Sequence, residues 1–188
     1  MLGSAYRPGE PYAKANSMLT LTESQINEYL HRSYAAVDGL WFMMAEERDG
    51  FDAALELDRR VWEVLPKIQA RKLRELAHVE PGIQGLKQCL ETKLTLDRFE
   101  FTTENSNPDH EFTLLIQKCP WHDLMVQSNR QHLSGRVGDA ICPTEYRAWA
   151  REFGPDIHFH LGHRLCHGAK HCRLFFTKNH EPASTFHG

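Results

Sequence analysis

The run His158-Phe-His160-Leu-Gly-His163-Arg-Leu-Cys166-His167-Gly-Ala-Lys-His171-Cys172 places five histidines and two cysteines in fifteen residues. Four of the five cysteines and seven of the twelve histidines in the 188-residue chain fall between Cys119 and Cys172. Thiolate and imidazole bind zinc and other borderline-soft divalent metals, which makes the C-terminal third the expected seat of function. Cys166 and Cys172 flank a short connection whose Gly168 permits a tight turn, so the two thiols can converge on one ion. Structural zinc is usually four-coordinate. His163, three residues before Cys166, and the more distant Cys142 complete an expected set of Cys142, His163, Cys166 and Cys172. The alternative for these small, half-buried thiols is plain packing.

Other residues compete for a chemical role. Strand alternation points His158 and His160 to one face, roughly 7 Å apart, as two of three ligands in an open catalytic site or as solvent-facing side chains. Cys119, in Cys119-Pro-Trp-His122, ends a strand and starts a helix. A helix N-terminus lowers a thiol's pKa, which suits a nucleophile or a metal thiolate; a structural strand-end cysteine is the other reading. Cys89 reads as a core residue.

Two carboxylates interrupt apolar helical stripes. Asp58 lies in line with Ala54, Leu55, Val61, Trp62 and Leu65, and Asp38 is one turn from Tyr34 and Trp41. Burying an ionised acid is costly unless it is paired, so each points into a polar pocket lined by Trp41 and Trp62 or pairs with Arg59, Arg60 or Arg71 at the stripe edge. No Ser-His-Asp set, phosphate-binding glycine loop or dinucleotide fingerprint is present.

The elements that must position these groups follow from periodicity. Residues 1–20 read as a flexible arm and 179–188 as a flexible tail, around a single domain over 21–178 with a helical part (21–96) and a sheet and metal part (97–178). Thr22-Glu-Ser-Gln25 is a capping box. Behind it Ile26, Leu30, Tyr34, Val37, Trp41 and Met44 recur at three and four, which predicts a long amphipathic helix closed near Gly50. A second helix carries Phe51 to Ile68, kinked near Trp62 by Pro66, and a third runs from Pro81 to about Thr95. Alternation at Phe99 and Phe101, then at Phe112, Leu114 and Ile116, predicts a hairpin. Helical spacing returns from about Trp121 to Gln131 and from Pro143 to Phe153. Two strands follow, Ile157-Phe159-Leu161 and Cys172-Leu174-Phe176. The expected fold is α+β: three N-terminal helices packed on a mostly antiparallel sheet in β-β-α-α-β-β order.

Composition narrows the function. A net charge of -3 with no lysine/arginine run gives no case for nucleic acid. No window approaches the roughly 18 apolar residues of a membrane span. Without a signal-peptide core, and with an odd cysteine count, the expectation is reduced thiols in the cytoplasm.

Cys142 followed by the ending Cys166-His167-Gly168-x-x-x-Cys172-x-x-Phe175 resembles the vinyl-reductase-type domain superfamily. That group includes ligand-sensing domains of aromatic-responsive activators and 2-amino-thiazoline-4-carboxylate hydrolase-like proteins. The front half, Val37-Asp-Gly-Leu-Trp41 through Phe51-Asp-Ala-Ala-Leu-Glu-Leu-Asp58 and Val61-Trp62, resembles a little-characterised prokaryotic family carrying that hydrolase label. In the sensing domains zinc is held by three cysteines and an acidic residue three positions before the middle one. The resemblance maps these onto Cys142, Cys166, Cys172 and His163, and imidazole is as good a zinc ligand as carboxylate. It implies a domain that dimerises around a small-molecule pocket and binds zinc, with iron as the alternative metal. The functional expectation is a metal-binding cytoplasmic protein with a small-molecule pocket between the N-terminal helices and the sheet; if it is an enzyme, the reaction is metal-assisted hydrolysis of a small heterocycle or amide. A non-catalytic small-molecule sensor with structural zinc is the second reading, and a thiol protein using Cys119 the third.

Overall fold

The computed structural model describes residues 19–179; the expected arm through residue 18 and tail from residue 180 lie outside them. Among the described residues the chain forms α1 (Glu23–Asp49), α2 (Phe51–Val61), α3 (Leu65–Ala77), α4 (Ile83–Leu96), β1 (Glu100–Asn107) and β2 (Glu111–Lys118). It continues through α5 (Pro120–Gln127), α6 (Gln131–Phe153), β3 (Ile157–Leu161), a 3-10 turn (Leu165–His167) and β4 (Cys172–Lys178). The fold is α+β with a four-stranded antiparallel sheet in the order β1-β2-β4-β3.

By its contacts the chain divides into two units at Leu40/Trp41. In the first, the capping box forms: the Thr22 amide donates to Gln25 Oε1 at 2.9 Å and the Gln25 amide to Thr22 Oγ1 at 3.3 Å. The amphipathic stripe of α1 departs from expectation. No residue of this helix is buried, and Ile26, Leu30, Val37, Trp41 and Met44 are exposed rather than set into a core.

The second unit holds the core. Four helices precede the first strand instead of three, because the helix expected through Pro66 divides at Trp62–Val64. Proline lacks an amide and its ring clashes with the carbonyl four residues back, so the chain turns (Val64 N to Val61 O, 3.0 Å) and restarts with Pro66 in the first turn of α3. Leu86, Leu90 and Leu94 of α4 and Tyr146, Trp149 and Phe153 of α6 share one core with Phe112, Leu114 and Ile116 of β2, Leu174 and Phe176 of β4 and Ile157 of β3. Phe112 and Phe176 stack at 4.7 Å, with Phe159 at 5.1 Å from Phe176. Each fully buried Leu or Phe contributes about 1.5–3 kcal/mol, so this cluster dominates the fold's stability.

The register sets what the sheet presents. Ile116 pairs with Cys172 and Leu161 with Leu174, which aligns the start of β4 with the end of β2. His158 and His160, alternating with the inward Ile157, Phe159 and Leu161, are exposed.

Candidate metal centre

Four cysteines come from four elements. Cys119 follows β2 and is the residue before α5, Cys142 lies within α6, Cys166 in the 3-10 turn and Cys172 at the head of β4. Because Ile116 is the register partner of Cys172, the chain leaving β2 carries Cys119 toward that thiol. Cys142 lies within electrostatic range of Cys119, Cys166 and Cys172, and Cys119 within range of Cys172. All five cysteines of the chain are free thiols.

α6 makes room for the turn that carries Cys166. A Cβ added at Gly138 would stand 2.7 Å from Cys166 Sγ and 4.0 Å from Cys142 Sγ. One added at Gly135 would stand 3.5 Å from the Cys166 carbonyl and 3.4 Å from the His167 ring. Gly138 leaves room for the Cys166 sulfur, and Gly135 for the Cys166 carbonyl and the His167 ring. Asp139 then fastens the turn to the helix: its Oδ1 accepts from the Arg164 guanidinium and lies 2.9 Å from His167 Nε2. Burial opposes the charge on Asp139, but His167 and Arg164 outweigh it and hold the carboxyl below its ordinary range. Inside the turn, the Leu165 amide donates to Cys172 Sγ at 3.3 Å, the kind of outer contact that orients a thiolate ligand.

Burial dominates the electrostatics. It pushes the Cys119 thiol up to about 12 although the amides of Trp121 and His122 pull the other way. Cys142 is raised well above the usual thiol value, by burial and then by Cys119 and Glu145, and Cys166 and Cys172 are raised by burial as well. At Cys119 desolvation outweighs the two amide contacts of the short helix's N-terminus.

Among the described residues no three His, Cys, Asp or Glu side chains already stand where they could hold a metal ion. The donor set nonetheless suits zinc or iron. It offers four soft sulfurs, a glycine, Gly138, against which one of them seats, an amide donor to another, and the Arg164 cation favouring ionisation of Cys166 and Cys172.

The other expected site residues lie elsewhere. His163 is exposed, and its Nε2 lies 2.8 Å from that of His171. His158 Nε2 faces Asn179 Nδ2 at 2.9 Å. His160 lines an open hollow of about 310 Å³ with Gly162, His163, Arg173 and Phe175. Of the expected pocket group, Trp62 is 3% exposed whereas Trp41 is 71% exposed. Asp58 is half-buried, as is Asp38, whose carboxyl is pushed up by burial.

A buried charge network adjoins the thiols. The Lys93 ammonium of α4 donates to Glu145 of α6 and lies 3.2 Å from Asp97 Oδ2, with Lys93 and Glu145 3% and 6% exposed. The rings of Trp62, Phe99 and Tyr146 lie 5.5–5.9 Å from Lys93 Nζ, and Trp121 packs edge-on against Trp62 at 6.2 Å. Burial disfavours the ammonium, yet the two carboxylates outweigh it and hold its pKa above the ordinary value. Glu145 also lies within electrostatic range of Cys119 and Cys142. A signal for this pair existed in the sequence: Lys93 interrupts the stripe Leu86, Cys89, Leu90, Leu94, and Glu145 interrupts Ile141, Ala148, Trp149.

A model described as a family of unknown function, DUF6125, matches residues 18–179. The chain belongs to that family. No curated protein and no solved structure matches it. The DUF6125 match runs from before α1 to the end of β4, so it takes in all four clustered cysteines and the Lys93–Glu145 pair. No described helix of this DUF6125 chain is long and apolar enough to cross a membrane.

Proposed function

We propose that Cys119, Cys142, Cys166 and Cys172 hold one zinc ion, with iron as the alternative, and that this DUF6125 protein is a metal-stabilised small-molecule-binding module of the cytoplasm. Four thiols from four separate elements, with Cys119, Cys166 and Cys172 all within electrostatic range of Cys142, carry the reading. Cys119 takes the place expected for His163, whose exposed ring is directed to His171. A tetrahedral zinc bound by four thiolates has no open position, so its contribution is to fasten elements together. Here those elements are the end of β2, α6, the 3-10 turn and the start of β4.

The hydrolase reading fits less well. It needs an open metal position and a carboxylate free to move a proton. Two carboxylates lie within electrostatic range of the cysteines: Glu145, buried and bound to Lys93, and Asp139, bound to Arg164 and His167. Small-molecule binding belongs more naturally at the open hollow, whose lining of His160, His163, Arg173 and Phe175 suits a small anion with an apolar part.

The ligand set is tested by two substitutions. Cys119→Ser should lower the metal content of purified protein to well under one ion per chain, and His163→Ala should leave it unchanged. Metal retained in Cys119→Ser and lost in His163→Ala would restore the set with His163.

A further inference from the structure

In α1 the apolar face is the exposed one. Ile26, Leu30, Ser33, Val37, Leu40 and Met44 recur at alternating spacings of four and three, the seam of a two-stranded coiled coil. Ile26, Leu30, Val37, Leu40 and Met44 are 42–57% exposed. Ser33 of the seam is half-buried, and so, on the other side of the helix, are Glu28, His31, Ala35, Asp38, Phe42 and Ala45. At Phe42 that side packs on Phe51 at 5.8 Å, and Glu46 binds Arg130 at 2.5 Å. A helix of 27 residues with no buried residue and with apolar side chains bare along a heptad seam is incomplete as a monomer.

We infer that α1 is a dimerisation helix whose seam packs against the same seam of a second copy of this chain. Three features select that occupant. The positions flanking the seam between Ile26 and Met44 are Asn27, Tyr29, Tyr34, Ala36, Trp41 and Met43, so an identical helix meets it without like-charge conflict. Laid antiparallel, the seam is self-complementary: Leu30 meets Leu40, Val37 meets Ser33 and Ile26 meets Met44, as an isologous two-fold contact requires. The polar member, Ser33, already donates its hydroxyl to the Tyr29 carbonyl at 2.8 Å, so burying it leaves no orphaned group.

Charge argues against a lipid surface. α1 carries six acidic residues against two arginines and no lysine, the reverse of a membrane-seeking amphipathic helix. The chain's own N-terminal segment, with Gly3, Pro8, Gly9 and Pro11, lacks the heptad spacing to supply a second seam.

Sedimentation equilibrium of the full chain, from low to high micromolar concentration, tests the inference. The wild type should be a dimer. The double substitution Val37→Glu, Leu40→Glu should weaken dimerisation by about 100-fold or more, because it places uncompensated charges in the seam. Circular dichroism of the variant should be unchanged, since both side chains are exposed in the single chain. Arg32→Ala, on the polar side, should leave the dimer intact. A wild type that is monomeric throughout overturns the inference, as does a dimer indifferent to the double substitution. A monomer that binds neutral phospholipid vesicles through Val37 and Leu40 would also overturn it, in favour of a lipid surface.

Discussion

Replacing Lys93 with methionine is expected to lower the melting temperature by about 10 °C, the largest effect of any single change outside the cysteines. Removing one partner of a buried ion pair strands the other, which costs about 3–5 kcal/mol, and each kcal/mol moves a domain of this size by about 2–4 °C. Here two carboxylates, Glu145 and Asp97, would lose the same ammonium in a setting where Glu145 is 6% exposed. Glu145→Gln should cost less, because Lys93 keeps Asp97. The combination Lys93→Met, Glu145→Gln should be more stable than Lys93→Met alone, since no charge remains on Glu145 to be stranded. Thermal melts of the three variants measure the coupling. A Lys93→Met protein within about 1 kcal/mol of wild type would mean that the ammonium is not buried as described.

Cys142→Ser is the second large effect. The change is nearly isosteric, so packing alone predicts a penalty of about 1–3 kcal/mol for a buried hydroxyl in need of a partner. If Cys142 holds a metal, loss of a ligand also removes binding free energy that is coupled to folding, and the melting temperature should fall by well over 10 °C. Cys89→Ser is the matched control: Cys89 is buried in the core, and burial and Arg74 rather than another thiol set its electrostatics. It should show the packing penalty alone and keep its metal. Equal melting temperatures and equal metal contents in the two variants would reduce Cys142 to a core residue.

How far the sequence could be read follows from what periodicity reports. Alternation located all four strands, because inward residues such as Phe112, Leu114 and Ile116 recur every second position wherever one sheet face is buried. Helix limits were harder. α6 begins at Gln131 rather than near Pro143, and it runs through Gly135, Gly138 and Pro143. These residues usually interrupt helices, but the two glycines leave space for the Cys166 turn. Periodicity also identified an apolar face on α1 without saying what covers it, so a seam left bare in the single chain resembled a core stripe.

The candidate site was legible in its residue types more than in its membership. Cys142, Cys166 and Cys172 were grouped by spacing and resemblance. Cys119 comes within electrostatic range of Cys142 and Cys172 through a strand register, Ile116 against Cys172, that no local pattern encodes. His163 was the nearest imidazole in sequence, yet its ring is turned to His171. Lys93 and Glu145 lie 52 positions apart, and each reads as an isolated blemish until the fold pairs them.

The most direct measurement is elemental analysis of the full chain purified without chelator and without oxygen. The proposed centre predicts about one zinc or iron per chain, its removal by a strong chelator, and a lower melting temperature for the metal-free protein, because a four-thiolate ion contributes to folding. A protein that contains neither metal as purified, takes up none when it is supplied, and melts at the same temperature before and after chelation would contradict the account.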